Sequence, residues 1–486
     1  MVEMQTLTRL LLLLPLTAAA CLPAATHADP FSHRWCQLST PRFELITDLT
    51  PRDAARLAER MEVFRITAES FIHGEGKEAD LPLKVVVFRD RSDFSTTMNA
   101  PKFSGFMQPS LREGKLVIGP QEGNSLLHTT ALHEYTHYLL RNRIDVSFPV
   151  WYDEGLASFL STTNISARRV EIGTAPPYDM SSAIQSSSIT LKKAVESTQV
   201  YDWEQQELHD FYTMAWGLVH FIELSHKGGF EDRRPQLHAY LRAVMPPFES
   251  TFDASYEELA ADLIRYTRKR KLPTIRLPRP EVTLPAEPAR CLEPEERDYQ
   301  LATAMMERNP DGALAILETL HAAQPSDVRY LLGLSTASYE LRRFSESKGY
   351  AEQAMAIDPQ NPSVQIQFAS TLVHGCILVR AAGCAEKWRA AVKLFRKAIR
   401  QDPQRFDAVL GLGLSYLHSG RAGDALNYLK IAYQKAPWAP HINFYLGESY
   451  RLVGDRRAAV HLTNARNWST AEIWRRLADA ALAELP

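Results

Sequence analysis

Between residues 51 and 71 the apolar positions Ala54, Leu57, Met61, Phe64, Ala68 and Phe71 recur at three- and four-residue steps, which predicts an amphipathic helix with one buried face. Compact apolar runs at Phe43–Thr47 and Leu83–Phe88 predict strands on either side of it. A further short strand is expected at Lys115–Ile118, bounded by Gly114 and by Gly119-Pro120. A longer segment follows, and its apolar residues Leu126, Leu127, Ala131, Leu132, Leu139 and Leu140 suit a helix passing through a domain interior. Pro149 fits the first turn of a second helix, where its fixed φ and missing N–H are tolerated. From Ser161 to about Thr198 the chain is rich in Ser and Thr and reads as a surface loop or lid. Phe211, Ala215, Leu218 and Ile222 share one face of a helix expected over Asp210–Leu224. Ser255 and Glu258 form a capping box that opens a last helix, and the basic run Arg268–Lys271 at its end reads as a solvated terminus.

Pro273, Pro278, Pro280, Pro285, Pro288 and Pro294 then mark a stiff, extended linker, so a domain boundary is expected there. Beyond it the chain turns to Ala- and Leu-rich helices that repeat. Ala354–Pro359 reads AMAIDP, Ala398–Pro403 reads AIRQDP and Ala432–Pro437 reads AYQKAP; with Pro325 these prolines are spaced 34, 44 and 34 residues apart. A helix-turn-helix period of about 34 residues is the tetratricopeptide signature. The long interval carries ten extra residues and holds Cys376 and Cys384. Such repeats stack into a curved solenoid whose concave surface holds peptides or protein segments, which implies a protein partner. The alternative is a purely structural or dimerising appendage.

With 486 residues, 45% of them hydrophobic, the chain can form at least two domains with proper cores. A net charge of −2 offers no electrostatic basis for binding nucleic acid or an acidic membrane surface. Leu10–Leu14 and the alanine run after Arg9 read as a secretory signal peptide over residues 1–28, with Thr26-His27-Ala28 before the cleavage point. Its apolar run is too short to span a bilayer, and no other run approaches that length. Lipoprotein processing at Cys21 is the alternative, against which Ala18-Ala19-Ala20 is a poor lipobox. A secreted, periplasmic location is oxidising. Two disulfides are therefore expected; the spacings permit Cys376 with Cys384 and Cys36 with Cys291 but leave the connectivity open, with four buried thiols as the alternative.

The run ALHEYTH places His133 and His137 four residues apart. On a helix their imidazoles share one face, about 5–6 Å apart at Cβ, and can grip one ion. Glu134 is turned about 100° away, within reach of a water on that ion, and is expected as the general base. Sixteen residues separate His137 from Glu154 in WYDEGLASFLS, enough for a turn and an antiparallel second helix that brings Glu154 round as a third ligand. Two imidazoles and one carboxylate leave a fourth position open on Zn²⁺, where the pKa of bound water falls to about 7. In so apolar a segment these groups would be costly to bury without a metal or matched hydrogen bonds. The competing reading is a polar helix face with two satisfied histidines.

HEYTH followed by WYDEGLASF resembles the gluzincin metallopeptidases, whose alanyl-aminopeptidase branch carries HExxH and then WxNEGxA. Trp151, Glu154, Gly155 and Ala157 match position for position; Asp153 stands where that branch has Asn, and the gap is slightly shorter. From residue 40 to residue 270 or so, the order of elements is similar to the peptidase-MA-like domains of bacterial envelope proteins, often fused to helical repeats. The resemblance implies zinc held by His133, His137 and Glu154, with Glu134 as base. It also implies that the strand Lys115–Ile118 is a sheet edge that pairs with substrate backbone, the alternative being an ordinary internal strand. Gluzincins supply a downstream Tyr or His that donates to the oxyanion; Tyr212 is the candidate and His220 the second, with a core tyrosine as the plainer reading. The aminopeptidase branch also fixes a free amine with GxMEN. The nearest segment here, Gly105-Phe106-Met107-Gln108, lacks the acid, which leaves exopeptidase specificity unsupported.

The expected architecture is an α+β zincin-like metallopeptidase domain followed by an all-α tetratricopeptide-repeat solenoid. Residues 1–28 would be the signal peptide, 29–272 the peptidase domain, 273–294 the linker and 295–486 the repeats. The expected activity is zinc-dependent hydrolysis of a protein or peptide substrate in the bacterial envelope. The alternative is a non-catalytic interaction module with a vestigial or structural metal site.

Overall fold

A computed structural model describes residues 29–72, 83–109, 113–120, 127–142, 147–200, 202–242, 246–284, 289–379, 384–469 and 471–485. The signal peptide expected over 1–28, and its lipid-anchor alternative at Cys21, lie outside these residues. Among the described residues no helix is long and apolar enough to cross a membrane.

The N-terminal unit is α+β. β1 (Cys36–Ser39) pairs antiparallel with β2 (Phe43–Thr47), and α1 (Pro51–Ala68) crosses over to β3 (Leu83–Val87), which runs parallel to β2. Thr50 caps α1 by accepting from the Asp53 N–H, and Pro51 occupies its first turn. α2 (Arg91–Thr97) leads to β4 (Gly105–Pro109), which turns back antiparallel to β5 (Gly114–Ile118), itself parallel to β3. α3 (Leu127–Arg141) and α4 (Val150–Ser161) then pack together. β6 (Asn164–Ile165), β7 (Arg169–Ile172), α5 (Met180–Gln185) and α6 (Leu191–Glu196) precede the long α7 (Gln205–Leu224). α8 (Arg234–Arg242), α9 (Phe248–Phe252) and α10 (Tyr256–Thr267) finish the helical part, and α10 opens on the Ser255–Glu258 capping box.

Two expectations are corrected here. Lys115–Ile118 is not a sheet edge: the order is β4-β5-β3-β2-β1, with β5 flanked on both sides. The edge is β4, which its Gly and Pro disguise in the sequence and which its antiparallel pairing to β5 stabilises. Nor is Ser161–Thr198 a bare loop. Two strands and two short helices, capped by Asp179 and Thr190, bury Met180, Ile184, Leu191 and Val195 among the polar residues that hide their spacing.

The proline-rich stretch 273–294 does not hang free between the two units. β8 (Ile275–Pro278) adds to β7 in a three-stranded sheet, and β9 (Arg290–Cys291) pairs with β1 at the far edge of the main sheet. A Cys36–Cys291 disulfide joins that last pair.

Eleven helices follow among the described residues, from α11 (Pro294–Met305) and α12 (Pro310–Ala323) through α13 (Val328–Glu340), α14 (Phe344–Ile357), α15 (Pro362–Val379), α16 (Cys384–Gln401), α17 (Phe406–His418), α18 (Ala422–Lys435), α19 (Pro440–Leu452) and α20 (Ala458–Trp468) to α21 (Glu472–Ala483). They form a tetratricopeptide-type solenoid of paired helices. The signature prolines 325, 359, 403 and 437 follow the second helix of successive pairs. The ten extra residues lengthen α15 and α16 to 18 residues each, and a Cys376–Cys384 disulfide ties the two helices together.

The main sheet is apolar on both faces. Leu45, Val85, Val87, Leu116 and Ile118 face α1 and α3, whereas Ile46, Val86 and Val117, one residue out of step, face the other way. That second face is covered by the repeats: Leu301, Ala304 and Met305 of α11, with Leu314 and Leu317 of α12, share its core. Lys84 Nζ donates to Gln300 Oε1 at 3.1 Å and Lys115 Nζ to the Thr303 carbonyl at 3.1 Å, locking α11 to β3 and β5. Because one core belongs to both units, Leu301→Ala is expected to lower the stability of the whole chain by about 2–5 kcal/mol. Denaturant unfolding should then show one transition moving to lower concentration; two transitions of which only one moves would contradict the shared core.

Candidate metal centre

α3 and α4 cross so that residues on their facing sides meet. The Nε2 atoms of His133 and His137 are 3.2 Å apart. Glu154 Oε2 stands 3.3 Å from Nε2 of His133 and 3.4 Å from Nε2 of His137. Donors on a tetrahedron about 2.0–2.2 Å from a central zinc are separated by about 3.3–3.6 Å, so this triangle has the size of one tetrahedral face. The donor set, two imidazoles and a carboxylate, fits that ion.

Charge leads to the same conclusion. Glu134, Asp153 and Glu154 are buried together with a single guanidinium, Arg141. With the imidazoles neutral, as metal binding requires, these described groups set three carboxylates against one guanidinium, a surplus of negative charge that a divalent cation, or a proton on His137, would offset. Burial pushes the Glu134 carboxyl above its ordinary range, against the pull of both imidazoles. Glu154 is equally buried, but attraction and hydrogen bonding from His137 and His133 win and hold it well below that range. For His137 burial disfavours charge, yet Asp153 and Glu154 outweigh it and raise the imidazole to about 10. A divalent cation bound at His137 Nε2 would therefore have to displace a proton. The His133 side chain is 19% exposed, against 3% for Glu154 and 6% for His137, so solvent reaches the site from its side.

Two residues to which the sequence reading gave no role complete the arrangement. Asp153 Oδ1 lies 2.8 Å from His137 Nδ1, so the Nδ1–H donates to it, and in the neutral ring Nε2 is the nitrogen whose lone pair faces Glu154 and His133. Arg141 then donates to Asp153 Oδ2 from Nε at 3.1 Å and from Nη2 at 2.6 Å. Burial alone would raise Asp153, but Arg141 and His137 keep its carboxyl low. Asp153 was visible in sequence only as a departure from the aminopeptidase pattern, and Arg141 only as the start of a polar turn after the helix, whereas it is the last residue of α3.

Two glycines permit the close approaches. A Cβ at Gly105 on β4 would fall 2.8 Å from Glu134 Cγ, so the edge strand runs against the expected base with no room for a side chain. At Gly155 a Cβ would fall 2.7 Å from the Ala215 carbonyl oxygen, which lets α7 lie close on α4. α7 thereby brings Tyr212 to the site, half-buried, its ring centroid 6.1 Å from that of His133 and nearly perpendicular to it. His220, two turns further along, is placed elsewhere. Its Nε2 faces the Gly173 carbonyl at 3.1 Å, its Nδ1 faces the Tyr266 hydroxyl at 2.8 Å, and burial lowers it to about 4, a neutral core histidine.

Another trio, His33, Asp48 and Asp93, also comes together. There His33 Nδ1 is already engaged by Asp48 at 2.8 Å, and Asp48 Oδ1 accepts the Arg89 N–H at 2.6 Å, so two of the three groups are already paired within the protein.

A tetratricopeptide-repeat family model matches residues 303–362 and 378–440, within the C-terminal helices. No curated protein matches the chain. Among solved structures it is similar to TTC0263, a thermophilic TPR protein in Thermus thermophilus, at 20% identity over 39% of this chain and 99% of that one, with a TM-score of 0.35. It is also similar to YrrB, a TPR protein with an unusual peptide-binding site, at 17% identity over 38% of this chain and 90% of that one, with a TM-score of 0.26. A likeness to MamA is of the same order, at 18% identity over 36% of this chain and 90% of that one, with a TM-score of 0.25.

Zinc uptake near pH 8 is expected to release at least one proton, the one that His137 holds up to about pH 10. Release should fade above that pH, and zinc affinity should fall as the solution is acidified. Calorimetric titration in buffers of different protonation enthalpy measures this; uptake at pH 8 with no proton exchanged would contradict it.

Proposed function

We propose that residues 29–272 form a zinc-dependent endopeptidase of the gluzincin kind, zincin-like in fold, and that the repeats engage its protein substrate or a protein partner. The observation that carries this reading is the triangle of His133 Nε2, His137 Nε2 and Glu154 Oε2, with sides of 3.2, 3.3 and 3.4 Å. His133, His137 and Glu154 would hold the ion, which when bound acts as a Lewis acid and lowers the pKa of water.

The chain's own groups account for the remaining steps. Glu134, raised by burial, is suited to take the proton of the attacking water and then deliver it to the leaving amine nitrogen. Asp153 keeps the His137 tautomer fixed throughout. The hydroxyl of Tyr212, whose ring lies beside that of His133, would donate to the oxyanion as the carbonyl becomes tetrahedral. β4, the terminal strand beside Glu134, would hold an extended substrate by backbone pairing.

An internal cut fits better than removal of terminal residues. Gln108, at the position where an aminopeptidase carries its amine-fixing acid, is buried and turned toward the repeats. With its amide oriented to satisfy both partners, it donates to the Ala304 carbonyl at 3.0 Å and accepts from the Glu307 N–H at 3.2 Å. The two disulfides support an oxidising compartment such as the periplasm, reached as a secreted or Cys21-anchored protein.

Glu134→Gln is expected to keep its zinc and to cut casein or blocked, internally quenched peptides about 10²–10⁴-fold more slowly. Equal rates in the two proteins at equal zinc content would remove Glu134 as base, and cleavage restricted to free-amine dipeptides would replace the endopeptidase with an exopeptidase. Tyr212→Phe is expected to lower kcat by about 10²–10³ with KM little changed. Unaltered kcat would return Tyr212 to a packing role.

A further inference from the structure

The second coordination sphere of the metal centre does not end inside the N-terminal unit. Arg141, whose guanidinium holds Asp153, lies with its Cζ 5.9 Å from the centre of the Trp468 ring. Trp468 is the last residue of α20, in the last full repeat pair, and is buried to 2% exposure. Its indole N–H finds no hydrogen-bond partner among the described residues, so what the ring contributes is its face. A guanidinium over an indole face in a desolvated site is attracted by the ring quadrupole, and Trp is the best ring for it. The neighbouring residue fixes the register: Asn467 Nδ2 donates to the Phe148 carbonyl at 3.1 Å, in the segment that leads into α4. One turn before Arg141, Tyr138 meets Trp438, between α18 and α19, at 5.4 Å.

We infer that Trp468 is a positioning residue for the metal centre, acting through Arg141 and Asp153 on the tautomer and orientation of His137. The inference rests on the metal-site reading above. It makes the far end of the repeat solenoid an outer shell of the zinc ligands. The links run in series: the Trp468 ring lies against the Arg141 guanidinium, Arg141 Nε and Nη2 donate to Asp153 Oδ2, and Asp153 Oδ1 is left for the His137 Nδ1–H. A protein that engages the last repeats and shifts α20 would by the same path alter how firmly the ion is held.

The test measures zinc dissociation constants of the full-length chain by chelator competition, together with the visible spectrum of the cobalt-substituted protein. Trp468→Ala is expected to weaken zinc binding on the order of tenfold, as outer-shell changes do, and to shift the cobalt bands, whereas Trp468→Phe should restore most of both. Trp438→Ala removes a contact of the same interface that does not touch Arg141, and should leave the zinc constant near wild type. Asp153→Asn combined with Trp468→Ala should be no worse than Asp153→Asn alone, because both act on His137 by one route. Trp468→Leu keeps the apolar bulk and serves if the alanine variant does not fold. Wild-type affinity in folded Trp468→Ala or Trp468→Leu overturns the inference, and so do full additivity with Asp153→Asn and an equal loss in Trp438→Ala. A wild-type chain that takes up no zinc overturns the metal-site reading itself, and the inference with it.

Discussion

Strands β2, β3 and β5 carry apolar residues on both faces, and a sheet of that kind has no stable place in water until both are covered. α1 and α3 take one face, and by doing so they set α3 at a fixed height over the sheet, with its polar side turned to α4. The first two repeat helices take the other face. α3 and the solenoid are thus placed by opposite sides of the same strands.

Given that scaffold, the candidate metal centre is a problem of buried charge. Glu134, Asp153 and Glu154 sit in an interior where an unbalanced carboxylate would be neutralised or would unfold its surroundings. Arg141 answers for Asp153, and the two imidazoles and Glu154 gather around a point that a divalent ion fits. The resulting geometry is specific rather than merely compact. Asp153 selects the His137 tautomer, Gly105 leaves Glu134 its place beside the edge strand, and Gly155 admits α7 with Tyr212.

The repeats are bound into the N-terminal unit at several points. β9 extends the main sheet under a disulfide, α11 and α12 share its core, and Trp438 and Trp468 meet the far end of α3. A solenoid attached at both ends holds a fixed relation to β4 and α3, unlike one swinging on a flexible tether. Whatever the repeats hold is held at a defined distance from Glu134.

Much of this was legible in the residues alone, where the governing interaction is local. Two histidines one turn apart, a capping box at Ser255, a helical face from Ala54 to Ala68 and prolines returning at 34-residue intervals all depend on neighbours within a few residues or on a repeated unit. What the tertiary structure alone decided depends on partners far along the chain. The spacing of Lys115–Ile118 cannot say that β4 will lie outside it, since strand order is set by which faces need covering. Asp153 and Arg141 are ordinary polar residues until α3 and α4 cross, and Trp468 is one more core tryptophan until α20 comes back over Arg141. Local spacing fixes which side chains share a face of an element, but which faces meet is decided only when the apolar surface of the whole chain is buried at once.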